Sequence, residues 1–228
     1  MMTMDYALTT TGDADGSPKG NVEIGAPWQR PDAGLVEQFA RYGTAQVGDA
    51  QGRLGMPDGG LSPIWEGCRA VGGALTVLTV AGDDLAVIEA VAHVQPGDLV
   101  VINGFGYQGR ALMGDILAHY FTERGAVGAI VDGAVRDRDD LRKQGFPVWS
   151  RGVVPAGPWK NGPGAVATPV AIGGVVVNPG DIVVADADGI VVVPLSRARR
   201  TAAELPQIAQ RENDMRHQAK SSVAQRGS

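Results

Sequence analysis

Gly128-Ala-Ile-Val-Asp-Gly-Ala-Val-Arg-Asp137 is the stretch on which the fold turns. An apolar run ends at Asp132, Gly133 permits a sharp turn, and Arg136 and Asp137 open a helix that runs to Gln144. A buried strand delivering the chain into a polar helix start is the repeating corner of α/β proteins. The same pattern extends upstream. Ala70–Val80 predicts a strand rich in Val, Thr and Leu, Asp83 or Asp84 caps a helix to about His93, and the turn Pro96-Gly97-Asp98 delivers a strand over Leu99–Ile102. A Gly-rich loop over 103–113 then leads into a helix from Gly114 or Asp115 to Arg124. Downstream, Pro147–Ser150 is a short strand, and a loop over 151–163 carries Lys160. Strand segments follow near 165–172, 174–177 and 181–185, with a hairpin turn at Asp188-Gly189 into Ile190–Val193. Alternation in the middle with strand-rich flanks predicts a layered α/β domain rather than a purely doubly wound one.

The ends differ from this centre. Residues 1–25 are rich in Thr, Gly, Asp and Ser without periodicity and are expected to form a mobile arm. Pro31 and Asp32 open a helix over Leu35–Tyr42, closed by Gly43, and Thr44–Leu54 reads as a second short helix. From Ser196 the chain is helical to about Lys220, with Pro206 kinking or splitting it. That helix is polar, lacks a wide apolar face of its own, and is expected to pack on a neighbouring subunit. The organisation is therefore an arm (1–25), a main domain (26–195) and a helical extension (196–228).

Composition narrows the function classes. With 228 residues and a formal charge of −5, the chain can bury a full core but lacks the clustered cationic face that nucleic acid requires. Arg197, Arg199 and Arg200 form the one basic cluster, and a solvated helix face accounts for it. A single cysteine, Cys68, leaves no intrachain disulfide and no cysteine cage, and the three histidines lie far apart, so a His/Cys zinc site is not expected. No apolar run reaches the roughly 20 residues of a membrane span, and no basic-then-apolar leader opens the chain; the expected location is the cytoplasm, with no membrane partner.

Chemistry concentrates at two strand–helix corners. In α/β folds ligands gather beyond the carboxyl ends of strands, where Arg136 and Asp137 fall. A carboxylate beside a guanidinium suits a substrate that has a metal-binding oxygen and an anionic oxygen; the plainer reading makes Asp137 a helix cap and Arg136 a surface residue. At the preceding corner, Gly114-Asp-Ile-Leu117 heads a helix whose amides at Ile116 and Leu117 suit a carboxylate, with Asp115 offering another oxygen ligand. Two such corners side by side make a sparse hard-metal site, since Mg²⁺ typically takes one or two carboxylates and keeps several waters. Gly104-Phe-Gly-Tyr-Gln-Gly109 matches the dinucleotide fingerprint after a strand, with Asp132 about where a ribose-binding acid belongs. The intervening Arg110–Gly114 delays the helix, which argues against that reading.

At these residues the chain resembles the 4-hydroxy-4-methyl-2-oxoglutarate aldolase / RraA-like family. Gly114-Asp115, Val131-Asp-Gly-Ala-Val-Arg-Asp137, Gly145-Phe-Pro-Val-Trp149, Lys160 and Pro179-Gly-Asp…Ala185-Asp-Ala-Asp-Gly-Ile190 carry the resemblance, with Thr44–Leu54 and Gly72–Val77 adding to it. It spans about residues 32–215. The resemblance implies a single-domain β/β/α layered sandwich assembled as a homotrimer or homohexamer with sites at subunit interfaces. It implies that Asp137 binds Mg²⁺ or Mn²⁺ directly, that Asp115 reaches the ion through water, and that Glu212 does so from a neighbouring subunit. Arg136 and Asp115 become the catalytic pair. Gly114, Asp115, Ile116, Leu117, Arg136 and Lys160 become the substrate contacts. The implied reaction is retro-aldol cleavage of a 4-hydroxy-2-oxo acid to pyruvate through a metal-stabilised enolate, with oxaloacetate decarboxylation as a side activity. The rival reading is a non-catalytic RraA-type regulator that binds and inhibits ribonuclease E; such regulators tend to lose the carboxylate after the arginine, which this chain keeps. His119, one turn after Asp115, reads as an exposed helix histidine, Trp65 and Trp149 as packing, and Trp159 as the tryptophan best placed to line the pocket. Tyr107 and Gln108 are candidates for shaping substrate choice.

Overall fold

The computed structural model describes residues 21–226. The arm predicted over 1–25 lies outside the described residues up to position 20, and its last part is ordered: Val22–Ile24 forms strand β1. Helix α1 (Ala33–Ala40) starts at Asp32, whose carboxylate caps the amides of Gly34 and Leu35. Gly43 does not close α1 but begins α2 (Thr44–Ala50). Then come β2 (Ser62–Pro63), β3 (Ala70–Thr79), α3 (Leu85–Ala90, followed by a 3-10 turn to His93), β4 (Asp98–Ala111), α4 (Asp115–Glu123), β5 (Gly128–Val135) and α5 (Arg138–Gln144). The chain continues through β6 (Val148–Val153), β7 (Gly164–Val166), β8 (Val170–Ile172), β9 (Val175–Val177), β10 (Ile182–Asp186), β11 (Gly189–Val193) and α6 (Leu195–Arg226).

Strands β3, β4, β5 and β6 are parallel neighbours in that order, the product of consecutive strand–helix units. The free edge of β3 is shared: its first half pairs antiparallel with β10, and its second half with β7. This division turns the β10–β11 hairpin away from the parallel strands and creates the layers. One face of the parallel sheet (Val100, Ile102, Ala129, Val131) packs on α3, α4 and Leu141 of α5. The other (Leu99, Val101, Ile130) packs on Val183, Ala185, Ile190 and Val192 of the hairpin and on Ile172. Trp149 and the lone Cys68 lie in that second layer, with the Cys68 thiol against the Val148 carbonyl. The hairpin's outer face (Ile182, Val184, Val191, Val193) is covered by α1, α2 and α6. Strands buried on both faces read as near-continuous apolar runs, as Leu99–Ile102 and Ala129–Val131 do.

The α/β class and order of elements agree with the sequence reading, with four differences. Residues 103–111 are not a loop, because β4 continues through the glycines. Gly133 does not turn the chain; it lies within β5, where a Cβ would press on Leu112 and the Tyr107 carbonyl, so it serves close strand contact. Of the two outcomes expected at Pro206, kinking or splitting, the split does not occur, since α6 continues through it. Finally, α6 is not wholly an extension: Ala198, Ala202, Leu205 and Ile208 are core residues of this same chain.

Candidate active site

Strands β4 and β5 end together. Leu112 N–H donates to the Ala134 carbonyl at 2.8 Å, and Arg136 N–H to the Met113 carbonyl at 3.1 Å. These bonds set the N-terminus of α4 directly against Arg136 and Asp137. Gly114 makes the approach possible, since a Cβ there would overlap the Asp137 carboxylate and crowd the Arg136 side chain. Arg136 Nε donates to Asp137 Oδ2 at 3.1 Å, and Asp115 N–H points to the same oxygen at 3.4 Å. Asp137 itself is left-handed, with φ 59° and ψ 39°. A non-glycine residue held there costs about 1–3 kcal/mol, a strain typical of functional positions.

The electrostatics of the corner are set by its two carboxyl groups. Partial burial raises the Asp115 carboxyl above its ordinary value, and the hydrogen bond and charge of Asp137 raise it further, while the Ile116 N–H lowers it. Two carboxylates facing one another beside a single guanidinium leave negative charge that a hard divalent ion would neutralise. Among the described residues no third His, Cys, Asp or Glu joins them within one chain, so such an ion would keep water in most of its shell.

Beside this corner lies a cavity of about 250 Å³ lined by Gly114, Ile116, Leu117, Arg136, Lys160 and Asp84. Ile88, Met113 and Tyr120 form its apolar wall. The structure therefore brings together five of the predicted substrate contacts. Asp115 and Asp137 meet at its edge, Asp137 bordering an adjoining shallow depression with Arg138, Asp139 and Asp140. A larger cavity of about 310 Å³, between Pro57–Pro63 and Ala187–Gly189, has no lysine or arginine in its lining and no comparable grouping. Glu212 is not among the lining residues of either; within its own chain it accepts from Gln46 and Arg216, both at 2.8 Å.

Asp84 and Tyr120 were not foreseen as site residues. An acid doublet at a helix start reads as capping, and Asp83 does take the amide of Leu85 at 2.9 Å. Asp84 instead holds Lys160 Nζ at 3.2 and 3.3 Å. Trp159 does not line the cavity: it is exposed, beneath the Arg110 guanidinium at 4.0 Å. His119 is exposed as expected. The dinucleotide reading has no support, because the fingerprint glycines lie on β4, away from any helix start, and Asp132 is a buried partner of Arg151 and of the Gly173 amide.

Fold and corner together define a layered α/β protein in which a helix start meets an arginine and a carboxylate pair. Residues 44–192 match the RraA-like family, described as Aldolase/RraA, and the chain belongs to that family. It is similar, at 37% identity over 70% of this chain and 76% of the relative, to the "Putative 4-hydroxy-4-methyl-2-oxoglutarate aldolase" of Halalkalibacterium halodurans. Streptomyces coelicolor RraAS2, described as an unusual member of the RNase ES inhibitor RraA family, superposes with a TM-score of 0.75 at 35% identity, covering 83% of this chain and 99% of that one. The RNA-processing inhibitor RraA from Thermus thermophilis gives a TM-score of 0.62 at 28% identity over 67% of this chain and 93% of its own. No described helix is long and apolar enough to cross a membrane.

Proposed function

We propose that the protein is a divalent-metal-dependent aldolase that cleaves a 4-hydroxy-2-oxo acid, such as 4-hydroxy-4-methyl-2-oxoglutarate, to pyruvate, and decarboxylates oxaloacetate as a side activity. The observation that carries this reading is the meeting of Asp115, Asp137 and Arg136 at the start of α4, beside a cavity that holds a second cation, Lys160. Asp137 would hold Mg²⁺ or Mn²⁺, with Asp115 reaching it through water. When bound, the ion supplies a Lewis acid next to the 2-oxo group.

The chain's own groups do the rest. The first turn of α4 presents N–H groups without helical partners, and since the Ile116 amide lies against Asp115, the substrate carboxylate falls to Leu117 and Arg136. Arg136 also faces the oxygen where negative charge develops as the C3–C4 bond breaks; one fixed donor of this kind is worth about 3 kcal/mol. Asp115, whose affinity for a proton is raised by partial burial and by Asp137, takes or relays the proton of the 4-hydroxyl. Ile88, Met113 and Tyr120 keep water from the carbanionic carbon. The reading includes assembly into a trimer or hexamer in the cytoplasm. Glu212, on the exposed distal turns of α6, would then reach a neighbour's site.

Pyruvate release from a panel of 4-hydroxy-2-oxo acids and oxaloacetate tests the proposal. Release should require Mg²⁺ or Mn²⁺, stop with EDTA, vanish in Asp137→Ala and fall about 100-fold or more in Arg136→Ala. Activity that survives both EDTA and Asp137→Ala overturns it. A non-catalytic regulator that inhibits ribonuclease E is the second reading, favoured by the likeness to RraAS2 across nearly the whole of that chain. Inhibition of ribonuclease E by a protein that neither binds nor turns over any keto acid would decide for it.

A further inference from the structure

One acid in the cavity has no part in the reaction as described. Asp84 stands at the start of α3, its side chain 4% exposed, with both carboxylate oxygens accepting from Lys160 Nζ. Lys160 is half-exposed, and the two line the cavity together with Arg136. Their meeting is held in place from behind. Asp83, also buried, accepts the amides of Asn161 and Gly162 at 2.8 and 2.9 Å, and the backbone of Gly82–Asp84 bonds both ways with Trp159. Arg110 donates to the Gly157 carbonyl at 2.7 Å and stacks on Trp159. Residues 157–162 are thus latched to the start of α3, with the Lys160 ammonium over the cavity.

As a structural ion pair this arrangement is a poor one. Burial pushes the Asp84 carboxyl up to about 6, against the opposing pull of Lys160 and Arg136 and with the nearby Asp83 adding to the rise. Its charge is therefore carried at a net loss of stability at neutral pH. A buried acid orienting an ammonium toward a substrate cavity is instead suited to handling a proton. Aldol cleavage demands that: the enolate left when C3–C4 breaks becomes pyruvate only when C3 gains a proton, and Asp115 is committed to the 4-hydroxyl.

We propose that Lys160 is the acid that protonates C3 of the pyruvate enolate, with Asp84 as the residue that positions it; this rests on the aldolase reading. In the step, the C2–C3 π electrons form the new C3–H bond with a proton from Lys160 Nζ, and the C2 carbonyl is restored. The neutral amine regains a proton from solvent, which balances the one lost from the 4-hydroxyl.

The experiment follows exchange of the pyruvate methyl protons in D₂O by proton NMR with Mg²⁺ present, alongside pyruvate binding by calorimetry. Exchange in Lys160→Arg and Lys160→Met is read at pyruvate concentrations that saturate each variant by calorimetry, so that weaker binding from the altered cavity contact is separated from loss of the proton-transfer step. Both should lose exchange by about 100-fold or more, because arginine keeps the charge but does not release its proton. Asp84→Asn should exchange about tenfold more slowly. The parent should show an acid limb near pH 6 that Asp84→Asn lacks, and the variant should melt no lower at pH 7.5. Exchange at the parental rate in Lys160→Arg overturns the proposal, as does an Asp84→Asn variant with unchanged rate and pH profile. In both cases pyruvate binding by the parent leaves the aldolase reading standing. A parent protein that binds no pyruvate overturns both.

Discussion

Asp137 meets two demands at one backbone position: a left-handed conformation and a carboxylate beside Arg136. Asp137→Asn retains a side chain tolerant of that conformation, so its melting temperature should stay within about 4 °C of the parent while Mg²⁺-dependent pyruvate binding disappears. Gly114→Ala should be worse for the site than its size suggests. The added methyl must displace the Asp137 carboxylate, so calorimetry should show binding lost in a protein that still folds. Asp84 gives a pH prediction. Its folded pKa of about 6 stands above the ordinary 3.8, so the folded state binds the extra proton and stability falls as pH rises between those values. Asp84→Asn should therefore be more stable than the parent at pH 7.5, by up to about 3 kcal/mol in urea unfolding, and nearly equal to it at pH 4. The residues from Gly114 to Leu117, with Arg136 and Asp137, could be picked as candidates from sequence because strand–helix corners announce themselves, whereas Lys160, in a loop, came only from the family resemblance. Asp84 could not, because its partner lies 76 positions away and only the fold brings them together.

At the scale of elements, β4 shows where pattern misleads. Six residues from Gly104 to Gly109 carry three glycines and read as a loop, yet they continue the strand through two register shifts against β5. The reason is contact rather than flexibility: at Gly104 a Cβ would overlap Leu112, and Phe105 and Gly106 both take positive φ where the strand bulges. Sequence periodicity cannot separate a bulged strand from a turn. The doublet Asp83-Asp84 shows the same limit, since its long-range task of holding residues 157–162 lies beyond any local motif. Asp83→Ala leaves three backbone amides without their acceptor, a loss of about 2–4 kcal/mol. Amide hydrogen exchange should quicken at Asn161 and Gly162 before anywhere in the parallel sheet.

For the whole molecule, the layered α/β class followed from alternating strands and helices, but the outer helical layer did not. Helix α6 is mostly polar, and only the stripe Ala198, Ala202, Leu205 and Ile208 ties it to the hairpin β10–β11. Truncation after residue 210 should therefore leave a folded protein by circular dichroism. Removal of everything from Ser196 should strip the α6 cover from the outer face of the hairpin β10–β11 and unfold that layer. Comparing the sedimentation of the shorter protein with that of the full chain would show whether the distal turns govern assembly.

Cys68 makes the molecule its own clock. The thiol is enclosed between two sheets, and burial raises its pKa, so a thiol reagent can reach it only when those layers part. The pace of its modification under native conditions would time that parting directly. Cysteines introduced at exposed positions could be tagged within the interval, leaving the native thiol untouched.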